Sequence, residues 1–178
     1  MTAQYWEDVE IGARRDLGCY TFTEAEIVAF AKKYDPQVFH VDPEGAKKSI
    51  FGGIIASGWH TAAIWMKLAI ADRKRAPRES PLARAGISPG YEDMRWIRPV
   101  RPGMRLSYSS QIVGKRELSS RPDLGLVLTR NEARDETGAL VFCFTGKGFV
   151  ERRPRSGELS QSHTLSALLP SEQSGEHP

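Results

Sequence analysis

The chain has 178 residues, with 25 Lys and Arg against 22 Asp and Glu, a formal net charge of +3. That length suits one domain, or one domain and a tail, with a core large enough to need no metal or disulfide. So mild a charge argues against a nucleic-acid partner.

Two cysteines, Cys19 and Cys143, point to a reduced, cytoplasmic protein. The acidic start "MTAQYWEDVE" has none of the charged-then-apolar pattern of a secretory signal. The longest apolar run, Trp59–Ala71, is interrupted by Lys67. It falls short of the roughly 20 residues a membrane-spanning helix requires, so no membrane association is expected.

In chain order, "FTEAEIVAFAKKY" is the first clear element. Thr23 and Glu26 have capping-box spacing, and Phe22 and Ile27 have that of a hydrophobic staple. Ile27, Phe30, Ala31 and Tyr34 then recur at i, i+3, i+4 and i+7, one face of a helix. Pro36 should end that helix and leave Asp35 extended at its exit. "DPEGAKKS" predicts a short helical turn capped by Asp42. "FGGIIASG" follows as a flexible stretch, and "WHTAAIWMKLAIADR" reads as a helix with almost no polar face, wrapped by other structure.

From Ile87 the pattern becomes extended. "GYEDMRWI" predicts a strand, and Pro102-Gly103 a turn. Three longer strands follow at Met104–Val113 (Leu106, Tyr108 and Ile112 sharing a face), Gly125–Arg134 and Ala139–Val150, the last two joined across "DETG". The expected fold is α+β, an antiparallel sheet curved around one buried helix. Residues 1–150 would form the domain. Residues 151–178, rich in Ser, Glu, Gln and Pro and without an aromatic side chain, would form a disordered tail, with "LSALL" a weak candidate for a docked turn.

Within "KYDPQVFHVD", Asp35 stands five residues before His40. Either residue alone reads best as structural, the Asp as a cap and the His as a packed core residue. Gly58 changes the weight of the pair, because it opens the buried helix. A helix N-terminus offers unpaired N–H groups to a carbonyl oxygen gaining charge, and glycine allows close approach to the backbone. Ser57 is a candidate for contact with substrate or water, although capping the helix is the better reading. A metal site from Asp35, His40, Asp42 and His60 lacks a recognisable ligand pair, and His60 reads as packing. Trp59, Trp65 and Trp96 read as core in preference to tunnel lining. The basic run at Arg73, Lys74, Arg75 and Arg78, with Arg95, Arg98, Arg101 and Arg105 beyond it, is either a solvated surface or a seat for a phosphorylated ligand.

The order "YDPQVFHVD", "FGGIIASGWHTAA", "MRWIRPVRPGMRLSY" resembles the MaoC-like dehydratases, from about Tyr5 to Glu151. The family motif sets an Asp five residues before a His and a Gly eighteen residues further on, which Asp35, His40 and Gly58 match. One departure is that Gln37 and Val38 replace the commoner Asn and Pro, the proline having moved to Pro36. This bears on substrate preference more than on the pair.

The resemblance implies a hotdog fold, a homodimer or assembly of dimers, and (R)-specific hydration of 2-enoyl-CoA thioesters without metal or cofactor. It implies catalytic roles for Asp35, His40 and Gly58; beside them, Ser57, Gln37, Arg73, Lys74 and Arg75 are the candidate substrate contacts, the basic run gaining the phosphates of coenzyme A as a candidate ligand. A hotdog thioesterase and a non-catalytic acyl-thioester-binding protein are the alternatives.

Overall fold

The computed structural model describes residues 5–75 and 87–154; Arg78 and the "LSALL" segment lie outside them. A 3-10 turn at Trp6–Asp8 precedes β1 (Arg14–Thr21), α1 (Glu24–Tyr34), α2 (Val38–Val41), α3 (Pro43–Lys47) and α4 (Gly58–Arg75). Then come β2 (Gly90–Trp96), β3 (Arg105–Glu117), β4 (Leu124–Arg134) and β5 (Leu140–Glu151). The strands form one antiparallel sheet in the order β1-β3-β4-β5-β2, so β1 and β2 are its edges.

Local chemistry sets the boundaries. The Glu26 amide donates to Thr23 Oγ1 at 3.3 Å while the Thr23 amide donates to Glu26 Oε2 at 3.3 Å, the reciprocal capping box that starts α1. Pro36 stops α1 after Tyr34. Asp42 caps α3, where Pro43 occupies the first turn and forfeits no hydrogen bond. Between β4 and β5, Asp135 Oδ1 accepts from the amides of Thr137 and Ala139, each at 3.0 Å, and Gly138 takes the positive φ the turn demands.

Bulges between Asp16 and Gly18 in β1, Glu92 and Arg95 in β2, and Ile112 and Gly114 in β3 add bend and twist to the sheet. The bent sheet closes on α4. Tyr108 Oη donates to the Thr61 carbonyl at 3.3 Å, the Trp65 ring meets Phe144 edge-on at 4.6 Å, and Arg15 pairs with Asp72 at 2.6 Å. Leu17, Phe22, Ile27, Leu106, Tyr108 and Phe142 are almost fully buried in the main core. Trp6, Val9, Val127 and Val150 form a second cluster, and it is this one that Ile112 joins. The architecture is the expected α+β hotdog, a sheet around a long helix.

One expectation needs correction, and one element was not foreseen. The α4 helix is not wrapped on every side: Trp59, Ala63, Met66 and Ile70 form an exposed stripe, because a single sheet reaches only the opposite face. In addition, β1 carried no readable strand pattern. Cys19 is exposed and Cys143 buried, and both are free thiols. No helix among the described residues is long and apolar enough to cross a membrane.

Candidate active site

Because Pro36 forbids another turn, Asp35 becomes the C-cap of α1, at φ −154° and ψ 67°. The single turn of α2 then carries His40 back towards it. His40 Nδ1 lies 2.7 Å from the Ile55 carbonyl, and a carbonyl only accepts, so Nδ1 bears the proton. Nε2 is thereby the atom that faces Asp35 Oδ2, at 3.4 Å. His40 is almost fully buried, whereas the Asp35 side chain keeps 21% exposure. Of the pair, it is the Asp35 side chain that solvent reaches.

Asp35 is held from two sides. Ser57 Oγ donates to Oδ2 at 2.7 Å and Gln37 Nε2 donates to Oδ1 at 2.8 Å. These bonds, that of Ser57 foremost, keep the carboxyl below its ordinary pKa of 3.8; partial desolvation opposes them and the field of His40 assists. Ser57 Oγ also accepts from the Trp59 amide at 3.3 Å. One hydroxyl both caps α4 and orients the carboxylate.

Gly58 opens α4, and its amide has no acceptor among the described residues. It borders the same cleft as Asp35 and His40, a space of about 450 Å³ walled mainly by Phe39, Phe51, Trp59 and Trp96. The structure adds a steric reason for a glycine here. A Cβ at this position would lie 2.6 Å from Trp96 Nε1 and 2.7 Å from Cε2. That indole N–H donates to the Gly58 carbonyl at 2.8 Å. It is a tryptophan that occupies the place of the missing side chain.

The remaining candidates divide. Trp59 and Trp96, read as core, are 53% and 44% exposed and wall the cleft, while Trp65 does pack inside. Arg73, Lys74 and Arg75 sit at the far end of α4, about 25 Å from Gly58 at the usual helical rise. The basic residue that borders the cleft is Arg98, 3.8 Å from Asp135. His60 stacks on Phe30 at 4.5 Å and meets Phe22 edge-on at 5.1 Å; burial pushes its pKa down, with Glu26 opposing. Its place is in packing. Asp42 is engaged with the Glu44 amide at 3.0 Å.

A hotdog sheet whose long helix begins beside an Asp/His pair defines a class of protein, and the comparisons place the chain within it. Residues 8–133 match the model of the MaoC-like domain family, to which the chain belongs. A MaoC-like dehydratase from Rhodospirillum rubrum superposes with a TM-score of 0.73 at 38% identity, over 85% of this chain and 99% of that one. The uncharacterised protein YdeM of Bacillus subtilis is 38% identical over 119 residues, 66% of this chain and 77% of its own length. The mesaconyl-CoA hydratase of Haloarcula marismortui is 34% identical over 71 residues, 39% of this chain and 20% of that protein.

Proposed function

We propose that the protein is a hydratase/dehydratase interconverting a 2-enoyl-CoA thioester and its (R)-3-hydroxyacyl-CoA product. The observation that carries this reading is the approach of His40 Nε2 to Asp35 Oδ2, 3.4 Å, in a cleft also bordered by Gly58, whose amide has no acceptor among the described residues. A water bonded to both acceptors spends its two hydrogens on them and turns a lone pair outward, towards the β-carbon of the enoyl group. As the C–O bond forms, a water proton passes to the pair, and a proton from the pair is delivered to the α-carbon. The Gly58 N–H stabilises the enolate oxygen in between, an interaction worth about 2.7–4 kcal/mol per donor elsewhere. Both new bonds form on the face of the alkene that the pair addresses. Membership of a dehydratase family, and a hydratase among its relatives, support the assignment.

The test is a panel of 2-enoyl-CoA thioesters, followed for loss of the conjugated double bond and for release of thiol. Loss of the double bond without thiol is expected. Thiol release would make the protein a thioesterase, and binding without either change a carrier. Asp35→Asn and His40→Gln should each lower kcat about 10²–10⁴-fold with the fold intact. The double variant should be little worse than either single one, because both groups act on one water. Additive losses tracking a lower melting temperature would assign the pair to structure instead.

A further inference from the structure

Glycine at the first position of α4 raises a difficulty for the reaction. The amide that must meet the thioester oxygen belongs to the residue type with the freest backbone. A donor that swings by an ångström loses most of its value, since misplacement on that scale can cost about 10²-fold in rate.

The surroundings of Gly58 answer this. The Ser57 carbonyl accepts from the amides of His60 at 3.0 Å and Thr61 at 3.3 Å, which secures the peptide plane on one side of Gly58. On the other side, the Gly58 carbonyl accepts the Trp96 indole N–H at 2.8 Å, and the indole fills the position of the absent Cβ. Trp96 is itself braced. It closes β2 directly opposite Phe142 of β5, stacks on that fully buried ring at 6.0 Å and 29°, and meets Trp59 edge-on at 5.4 Å. The sheet core therefore reaches the first peptide of α4 through one rigid side chain.

We propose that Trp96 is the positioning residue of the oxyanion site. It stands in for the side chain Gly58 lacks, and by holding the peptide after Gly58 while the Ser57 carbonyl holds the peptide before it, it removes the backbone freedom that would let the Gly58 N–H swing. This rests on the hydratase reading given above. It also explains why position 58 takes glycine: the indole and a Cβ exclude each other.

Two measurements test it. The first is a spectrum. A dimethylaminocinnamoyl-CoA thioester absorbs further to the red when a donor polarises its carbonyl, and wild-type protein should produce that shift on binding. Trp96→Phe keeps a ring over Gly58 and removes the N–H. It should bind the probe within about twofold of wild type, lose most of the red shift, and show kcat for an enoyl-CoA lowered about 10–100-fold with KM little changed. Full retention of shift and kcat would overturn the proposal while leaving the hydratase reading in place. A wild-type protein that neither binds nor shifts the probe would remove both.

The second measurement needs no substrate. Gly58→Ala should lower the melting temperature in the wild-type background, where the new methyl meets the indole. In a Trp96→Ala background it should be neutral or stabilising, since alanine favours the helix. Additive effects of the two substitutions would show that Trp96 does not occupy the place of the side chain, and the proposal would fail.

Discussion

Ser57 Oγ links the helix it caps to the carboxylate it orients, and the consequence is a pH dependence with a definite sign. Its hydrogen bond is the largest of the influences that hold the Asp35 pKa below 3.8. A carboxyl depressed in this way contributes stability above its unfolded pKa, and loses it as pH falls through the lower, folded value. Ser57→Ala removes a donor to the charged form, so the Asp35 pKa rises. The acid limb of kcat/KM should move to higher pH, and acid denaturation should begin earlier on lowering pH. A pH–rate profile with an unmoved acid limb would deny Ser57 this role. At this scale the sequence was informative wherever the chain itself sets the spacing: Asp35, His40 and Gly58 come together because one proline, one turn and one helix start bring them there. The contact between Trp96 and Gly58 was hidden, because it depends on β2 pairing with β5. The distant place of Arg73–Arg75 followed from the length of α4, and only the assumption that basic residues cluster around one ligand concealed it.

Elements with strong caps and period were legible, and the edge of the sheet was not. Thr23, Glu26 and Pro36 bracket α1 unambiguously, and β4 and β5 fall within one residue of their expected limits. In β1, by contrast, Leu17 is the only buried side chain, and a bulge at Asp16/Gly18 breaks what alternation there is. An edge strand with one inward residue has no period to read. The second cluster was equally invisible, since it joins the chain's first turn to β4. Trp6 Nε1 donates to the Leu126 carbonyl at 3.2 Å, and its ring occupies the place a Cβ on Gly125 would take. Gly125→Ala should therefore destabilise the protein by about 1–3 kcal/mol, the usual cost of overpacking against a rigid ring. Chemical denaturation gives the value, and activity per folded molecule should not change. A neutral result would mean that Trp6 moves aside freely.

For the whole molecule, the exposed stripe on α4 and the two open sheet edges call for a partner, and a second copy of the chain is the one we propose. Trp59, Met66 and Ile70 are 53%, 52% and 39% exposed, and Tyr91 on the edge strand β2 is 54% exposed. Side chains of this kind are normally covered, and open edges are normally paired. Sedimentation at micromolar concentration should show a dimer or an assembly of dimers, and Met66→Glu should shift it towards monomer. A wild-type monomer under those conditions would refute the proposal. The sequence indicated an apolar helix but could not distinguish a sheet on both sides from a sheet on one side and a neighbour on the other. Both would bury the same residues.

The two ends of the described chain also meet. Arg152 pairs with Glu7 at 3.1 Å and Arg153 with Asp8 at 2.6 Å, and the Arg152 guanidinium lies over the Trp6 ring at 5.0 Å. The contact between Glu7 and Arg152 closes a loop of 145 residues. Bringing such distant points together costs about 4 kcal/mol of chain entropy beyond a short loop's constant, more than exposed ion pairs return. The clasp therefore forms only on a sheet already assembled. Among the described residues, its amides should exchange with solvent before those of the β3–β4–β5 ladder, as native-state hydrogen exchange would show.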